Sequence, residues 1–164
     1  MKTRLIILRG NSGSGKTNLA HDLNTTLPGV KLLISQDVVR REMLFVKDEQ
    51  DNLAIDLIYE MACYGKNRVD YVILEGILVN KIYARMLKGL IQFFQGNVTV
   101  CYFDLTFEET MRRHETKKAS LEFGEAELRR WFKKGDFLGT PNELTFTNEM
   151  TREMMLKIIE EQIK

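Results

Sequence analysis

Apolar residues along the chain follow two rhythms. Four short, nearly unbroken runs, Leu5–Leu8, Val30–Ile34, Val69–Leu74 and Val98–Phe103, lack the strict polar alternation of a half-wetted strand. They predict strands buried on both faces, the condition of a parallel sheet covered by helices on each side. Between them the apolar positions change to helical spacing. Leu19, Ala20, Leu23 and Leu27 make one stripe, stopped by Pro28-Gly29, while Leu53–Asn67 carries a second and Ile82–Phe94 a third, ended by Gly96-Asn97. Val38–Val46 predicts a short helix and Lys47–Asn52 a charged connection. Beyond the fourth strand, Thr106–His114 predicts a helix with Glu108 and Glu109 in its first turn, where the helix dipole favours acids. Glu143–Phe146 is a weak fifth strand. Thr147–Lys164 closes the chain as an amphipathic helix, with Met150, Met154, Met155, Ile158, Ile159 and Ile163 on its apolar side. Strand–helix alternation of this kind predicts an α/β domain with a largely parallel sheet.

The 164 residues suit one domain, 1–164, long enough to bury a real core. With 44% hydrophobic and 29% charged residues, wholesale disorder is excluded. A net charge of +1 gives no overall field toward nucleic acid or membrane. No apolar stretch approaches the roughly 20 residues that span a bilayer, and the N-terminal run is too short for a signal peptide. The expected location is therefore the cytoplasm. Cys63 and Cys101 stand far apart without a CxxC spacing and are expected as buried free thiols rather than a zinc site or disulfide.

The first apolar run leads into Gly10-Asn11-Ser12-Gly13-Ser14-Gly15-Lys16-Thr17, which fits G-x-x-x-x-G-K-[ST], the loop that wraps the phosphates of a nucleoside triphosphate. Glycines let successive backbone N–H groups turn inward as an anion nest, and the helix that begins near Gly15 adds its positive end. Lys16 is placed to reach the β- and γ-phosphates, and Thr17 to offer its hydroxyl to Mg²⁺. Strand, glycine loop and helix in succession separate this motif from a chance glycine-rich turn.

Ligands of open α/β sheets sit beyond the carboxyl ends of the strands, and Gly10–Thr17, Asp37, Glu75 and Asp104 all fall at that edge. Asp37 suits a group that accepts the proton of a substrate hydroxyl as it attacks the γ-phosphorus. The alternative is a helix N-cap, supplied by Ser35 or Asp37. Arg40 and Arg41 follow at i+3 and i+4, facing either the carboxylate or an anionic substrate, or standing as solvated surface charges. Glu75 ends its apolar run as a Walker-B-like acid would, holding Mg²⁺ directly or through water, or meeting the substrate. Gly76 beside it implies close backbone approach.

Glu115–Gly139 is the most charged stretch of the chain. Arg112 and Arg113, then Arg129 and Arg130, flank the turn-like Phe123-Gly124 and predict two helices of a lid at about residues 115–139. Its arginines, with Arg113 and Arg130 taken as the catalytic pair, would clamp the transferring phosphoryl group. A pair of solvated charged helices is the alternative. His114 is expected at the surface, and Trp131 as lid packing or as a stacking face.

With those residues in place, the chain resembles the small P-loop kinases that phosphorylate hydroxyl groups, a group that includes polynucleotide kinases, chloramphenicol phosphotransferase and zeta toxins. Gly10–Thr17 carries most of the resemblance; Asp37 and Arg40 resemble the D-x-x-R arrangement of polynucleotide kinases. Phe107–His114 and Glu127–Trp131 look like the helices entering and leaving the lid of these kinases. Lys117 stands where similar lids often have an arginine, and lysine loses the planar fork, so Lys117 is left outside the site. The resemblance implies a three-layer α/β/α sandwich around a five-stranded parallel sheet in the order 2-3-1-4-5, with a helical lid. It implies an ATP- and Mg²⁺-dependent kinase acting on a hydroxyl of a small molecule such as a nucleoside, sugar or antibiotic. Lys16, Asp37, Arg113 and Arg130 would be catalytic, and Gly10, Asn11, Ser12, Gly13, Ser14, Gly15, Lys16 and Thr17 would hold the nucleotide. Asp37, Arg40 and Glu75 would meet the acceptor, and Thr17 and Glu75 the metal. Rival readings are a 5′-hydroxyl polynucleotide kinase, which the balanced net charge does not favour, and a regulatory module whose ATP hydrolysis switches a partner. No N-K-x-D element for guanine is present, so ATP is expected over GTP.

Overall fold

A computed structural model of the protein describes residues 2–115 and 124–164. Five strands, β1 (Arg4–Gly10), β2 (Lys31–Ser35), β3 (Tyr71–Gly76), β4 (Val98–Phe103) and β5 (Leu144–Phe146), form one sheet in the order β2-β3-β1-β4-β5. Every pairing is parallel. The helices are α1 (Lys16–Thr26), α2 (Leu53–Gly65), α3 (Asn80–Phe93), α4 (Phe107–Glu115), α5 (Glu125–Trp131) and α6 (Arg152–Gln162). The order 2-3-1-4-5 implied by the resemblance is the order observed.

Strand parity explains the layers. Side chains alternate across a strand, so Leu5 and Ile7 of β1 pack with Ile58 and Ala62 of α2 and Leu87 and Leu90 of α3. Ile6 and Leu8 pack on the other face with Leu19 and Leu23 of α1 and Met155 and Ile159 of α6. All four strand residues are 0% exposed. Fully burying one such side chain is worth about 1.5–3 kcal/mol, against about 0.2–1 kcal/mol for an exposed ion pair, so the strand core dominates the energetics. The same parity aims the polar residues at the strand ends. Arg9 continues the Leu5–Ile7 face toward α3, whereas Ser35 and Glu75, register partners across β2 and β3, face α1.

The chain departs from expectation where tertiary contacts override the local pattern. The short helix expected over Val38–Val46 is a π-helical segment, Val38–Met43, closed by Leu44 N–H to Val39 O at 3.1 Å. Phe45 then takes φ 54° and turns the chain outward. The closing helix begins at Arg152 rather than Thr147, because the Thr151 side chain accepts the Met154 N–H and caps it there. Met155 and Ile159 are buried, but Met154 is 49% exposed and leaves the expected apolar face. β5 has three residues and is held by its register with β4 and by buried Phe146. Cys101 is buried and Cys63 half-buried, both free. Among the described residues no helix is long and apolar enough to cross a membrane.

Candidate active site

The glycine loop joins the end of β1 to the start of α1, where the first helical amides lack intrahelical partners and point toward an incoming anion. Gly13 has φ +76°, and a Cβ there would lie 2.8 Å from the Thr110 carbonyl, so α4 crosses directly over the loop. Lys16 lies back along it, its Nζ donating to Asn11 O at 2.7 Å and Ser14 Oγ at 3.1 Å. Those oxygens occupy the amine in the way phosphate oxygens would.

Glu75 is 3% exposed and links two hydroxyls. Ser35 Oγ donates to Oε1 at 2.5 Å and Thr17 Oγ1 to Oε2 at 3.2 Å. A hydroxyl and a carboxylate oxygen in contact are hard ligands that suit Mg²⁺, which takes one or two protein oxygens and fills its octahedron with water and phosphate. Thr17 and Glu75 therefore fit that ion. The close approach expected at Gly76 is present, since a Cβ there would stand 2.6 Å from Gln36 Cβ.

Asp37 leads into the π-helical segment but makes no side-chain cap hydrogen bond, and the Ser35 hydroxyl is committed to Glu75, so neither fills the capping role considered for them. Instead the Asp37 carboxylate is held by Arg40 at 3.1 Å and Arg41 at 3.6 Å, with more than half of its side-chain surface open. A cavity of about 310 Å³ is lined by Ser12, Gly13, Gly15, Lys16 and Thr17 of the loop together with Glu75, Asp37 and His114. His114, on α4, is 3% exposed and faces this cavity rather than the surface. A second cavity of about 530 Å³ shares Ser12, Asp37, Arg41 and Ile77 with the first and adds Arg40, Arg130, Trp131 and Lys133. A third, about 440 Å³, opens on the other side of the loop, between Ser14, Gly15, Asn18, Arg112 and Arg113 and the segment Asn148–Thr151.

The four arginines of the expected lid separate. Arg113 sits on the loop, donating from Nη1 to Ser14 O at 2.8 Å and from Nε to Glu109 at 2.6 Å. Arg112 pairs with the same Glu109 and is mostly exposed. The hydrogen bond from Arg112 first, then those from Arg113, hold the Glu109 carboxyl down to about 2 against the opposing effect of burial. Arg129 stacks over Phe107 at 4.2 Å and pairs with Glu125, joining α5 to α4 and standing apart from the cavities. Arg130 lines the second cavity, beside Trp131. Arg40 is largely a strut: beyond Asp37 it donates to Val46 O at 3.2 Å and lies 4.0 Å from Asp48. Asp104 takes no part in any of the three cavities. The middle of the expected lid, 116–123, with Lys117 and Phe123, lies outside the described residues.

Two contacts tie the segment after α5 to β1 and the glycine loop that follows it, and pattern reading misses both. Arg9 is fully buried; its Nη1 meets Asp136 O at 2.7 Å and Glu143 at 3.4 Å, and its Nη2 meets Leu78 O, Asn80 Oδ1 and Asp136 Oδ2, each at 3.0 Å. Asn11 makes a two-point clasp with the Lys133 backbone, accepting its N–H at 2.7 Å and donating to its carbonyl at 2.6 Å. A further network, Tyr83 Oη donating to Asp48 at 2.6 Å and accepting from Gln36 at 3.0 Å, braces the residue before Asp37. Burial first, then the bond to Asp48, pushes the Tyr83 hydroxyl up to about 12. The only sequence signal for Arg9 was a charge continuing a buried run into the glycine loop.

Solved structures share this architecture along the whole chain. A gluconokinase from Sinorhizobium meliloti is 14% identical and superposes with TM-score 0.64 over 99% of this chain and 96% of its own. The APS kinase of Mycobacterium tuberculosis, solved with AMPPNP and APS, is 14% identical with TM-score 0.67 over 98% and 96%. A shikimate kinase from Bacteroides thetaiotaomicron is 17% identical with TM-score 0.62 over 98% of both chains. The fold is that of the P-loop kinases. No protein-family model and no curated protein matches the sequence.

Proposed function

We propose that the protein is an ATP- and Mg²⁺-dependent kinase that transfers the γ-phosphoryl group to a hydroxyl of a small molecule. The observation that carries this reading is the first cavity, which brings the phosphate loop, the Thr17–Glu75 pair and Asp37 to one space. Lys16 and the loop amides would hold the β- and γ-phosphates, and the third cavity, beyond Ser14 and Gly15, offers room for the nucleoside. Mg²⁺ on Thr17 and Glu75 would neutralise charge on the phosphates. Asp37, held by Arg40 and Arg41, would orient the acceptor hydroxyl and take its proton as the oxygen bonds to the γ-phosphorus and the bond to the β–γ bridging oxygen breaks. Arg113, fixed against the loop, is the arginine best placed to offset charge on the transferring group. Helices α4 and α5, which pack through Phe107, Phe132 and Arg129, would act as the lid.

The similar structures named for gluconate, shikimate and APS support a small-molecule acceptor, and the APS kinase's AMPPNP supports an adenine nucleotide as donor. Incubation with γ-labelled ATP, Mg²⁺ and a panel of nucleosides, sugars, antibiotics and 5′-hydroxyl oligonucleotides tests the proposal. Label moving to an acceptor supports it; label released only to water, with every acceptor inert, favours an ATP-hydrolysing switch instead.

A further inference from the structure

Resting on the kinase reading above, we infer that the acceptor is a small organic anion, carrying a phosphate or carboxylate in addition to the hydroxyl that is phosphorylated. The second cavity is the evidence. It meets the phosphate-loop cavity at Asp37 and Ser12, so an acceptor presenting its hydroxyl to Asp37 extends into it. Its charged lining is unbalanced. Asp37 and Asp48 are set against four cations, Arg40, Arg41, Arg130 and Lys133. Arg40 spans both carboxylates and Arg41 reaches Asp37 at 3.6 Å, so the acids are matched within that group. Neither Arg130 nor Lys133 has a carboxylate partner among the described residues.

These two cations do not hang from an unanchored arm. The Lys133 backbone is clasped at two points by Asn11 of the phosphate loop, and three residues on Asp136 is bound to fully buried Arg9. The wall that carries Arg130 and Lys133 is thereby fixed to the strand that delivers the phosphates. The same lining carries the apolar side chains of Ile77, Val79 and Ile82, and the Trp131 ring stands beside Arg130. A cationic end, an apolar flank and a carboxylate that receives a hydroxyl describe a molecule with an anionic head, an organic body and a reacting alcohol.

The test uses the full-length protein and matched probes. With the nucleotide site filled by AMPPNP and Mg²⁺, binding of glycerol 3-phosphate, glycerate and glycerol is measured by calorimetry. The two anions separate a phosphate head from a carboxylate head. At least one anion is expected to bind about 10- to 100-fold more tightly than glycerol, the worth of a hydrogen bond to a charged group. Arg130→Gln and Lys133→Gln should each erase most of that preference. The melting shift with ATP and Mg²⁺ is read in each variant to show a folded phosphate site. Anions that bind no better than glycerol, or a preference that survives in both variants, overturn the inference whether or not any acceptor is phosphorylated. A 5′-hydroxyl oligonucleotide that outcompetes both small anions also overturns it, in favour of a nucleic-acid acceptor. Failure of the kinase reading is distinct: it shows as label reaching only water while the anion preference persists.

Discussion

Replacing Arg9 by methionine tests how the active-site walls are held. The arginine is fully buried beside the phosphate loop, with Asp136 at 3.0 Å, Glu143 at 3.4 Å and the Tyr102 ring 5.4 Å away. Methionine keeps the length and most of the apolar contact but strands two carboxylates whose side chains are only 22% and 7% exposed. Breaking a buried pair by removing one partner costs about 3–5 kcal/mol. Glu143 keeps the Leu138 and Gly139 amides, and Asp136 keeps the Asn80 amide, which places the expected loss near the lower end. In a domain of this size about 3 kcal/mol corresponds to a fall in Tm of roughly 6–12 °C. Urea unfolding followed by circular dichroism should show the midpoint fall without a change in slope. Adding Asp136→Asn and Glu143→Gln to Arg9→Met should recover a large part of the loss, because no carboxylate is then left unpaired. A fall below about 1 kcal/mol for Arg9→Met, or a triple variant as unstable as the single one, would refute the electrostatic reasoning and leave only packing.

Glu75→Gln keeps an oxygen for the Ser35 and Thr17 hydroxyls but removes the charge. A Mg²⁺ titration of ATP turnover should show the half-saturating concentration raised about 10- to 100-fold, the usual cost of damaging a metal's protein environment; an unchanged titration would remove Glu75 from the metal site. The Glu109 carboxyl is held at about 2, below its ordinary 4.5. A depressed carboxyl stabilises the fold above the unfolded value and loses that contribution as pH falls from about 4.5 through about 2. Glu109→Gln should therefore lower stability at pH 7 and flatten the acid limb between those values, and a parallel acid limb in the variant would exclude the group. Tyr83 has the opposite sign of dependence: its hydroxyl is raised to about 12, so its contribution is present below about 10 and lost as pH rises through 12. Tyr83→Phe should make alkaline unfolding shallower in that range, as read by a pH series of melting curves.

The strands and the phosphate loop were legible because burial on both faces and a glycine–lysine loop leave local marks on a sequence. The runs Leu5–Leu8 and Val98–Phe103 announced β1 and β4, and the Lys16–Thr17 step announced the start of α1. Strand order came from resemblance, since parallel pairing is nonlocal and spacing does not encode it. What escaped depends on partners distant in sequence. Arg9 meets Asp136 and Glu143, and Asn11 meets Lys133, across more than a hundred residues. His114 looked like a surface residue on a charged helix, but α4 crosses the loop at Gly13 and buries it there. Met154 was assigned to the core by period alone; the Thr151 cap set where α6 starts, and packing against the sheet buries Met155 and Ile159 instead. In the sequence Ser35 stood out only as an alternative helix cap alongside Asp37, yet strand parity is what turns its hydroxyl toward Glu75.

The account rests on Asp37 acting across one cavity from the phosphate loop. Its most direct measurement is the transfer of γ-labelled phosphate to the best hydroxyl acceptor by the wild-type protein and by Asp37→Asn, with ATP binding measured in both. The account predicts that the variant binds ATP but transfers about 10²- to 10⁴-fold more slowly, the usual worth of a positioned general base. Transfer at the wild-type rate by Asp37→Asn would contradict it.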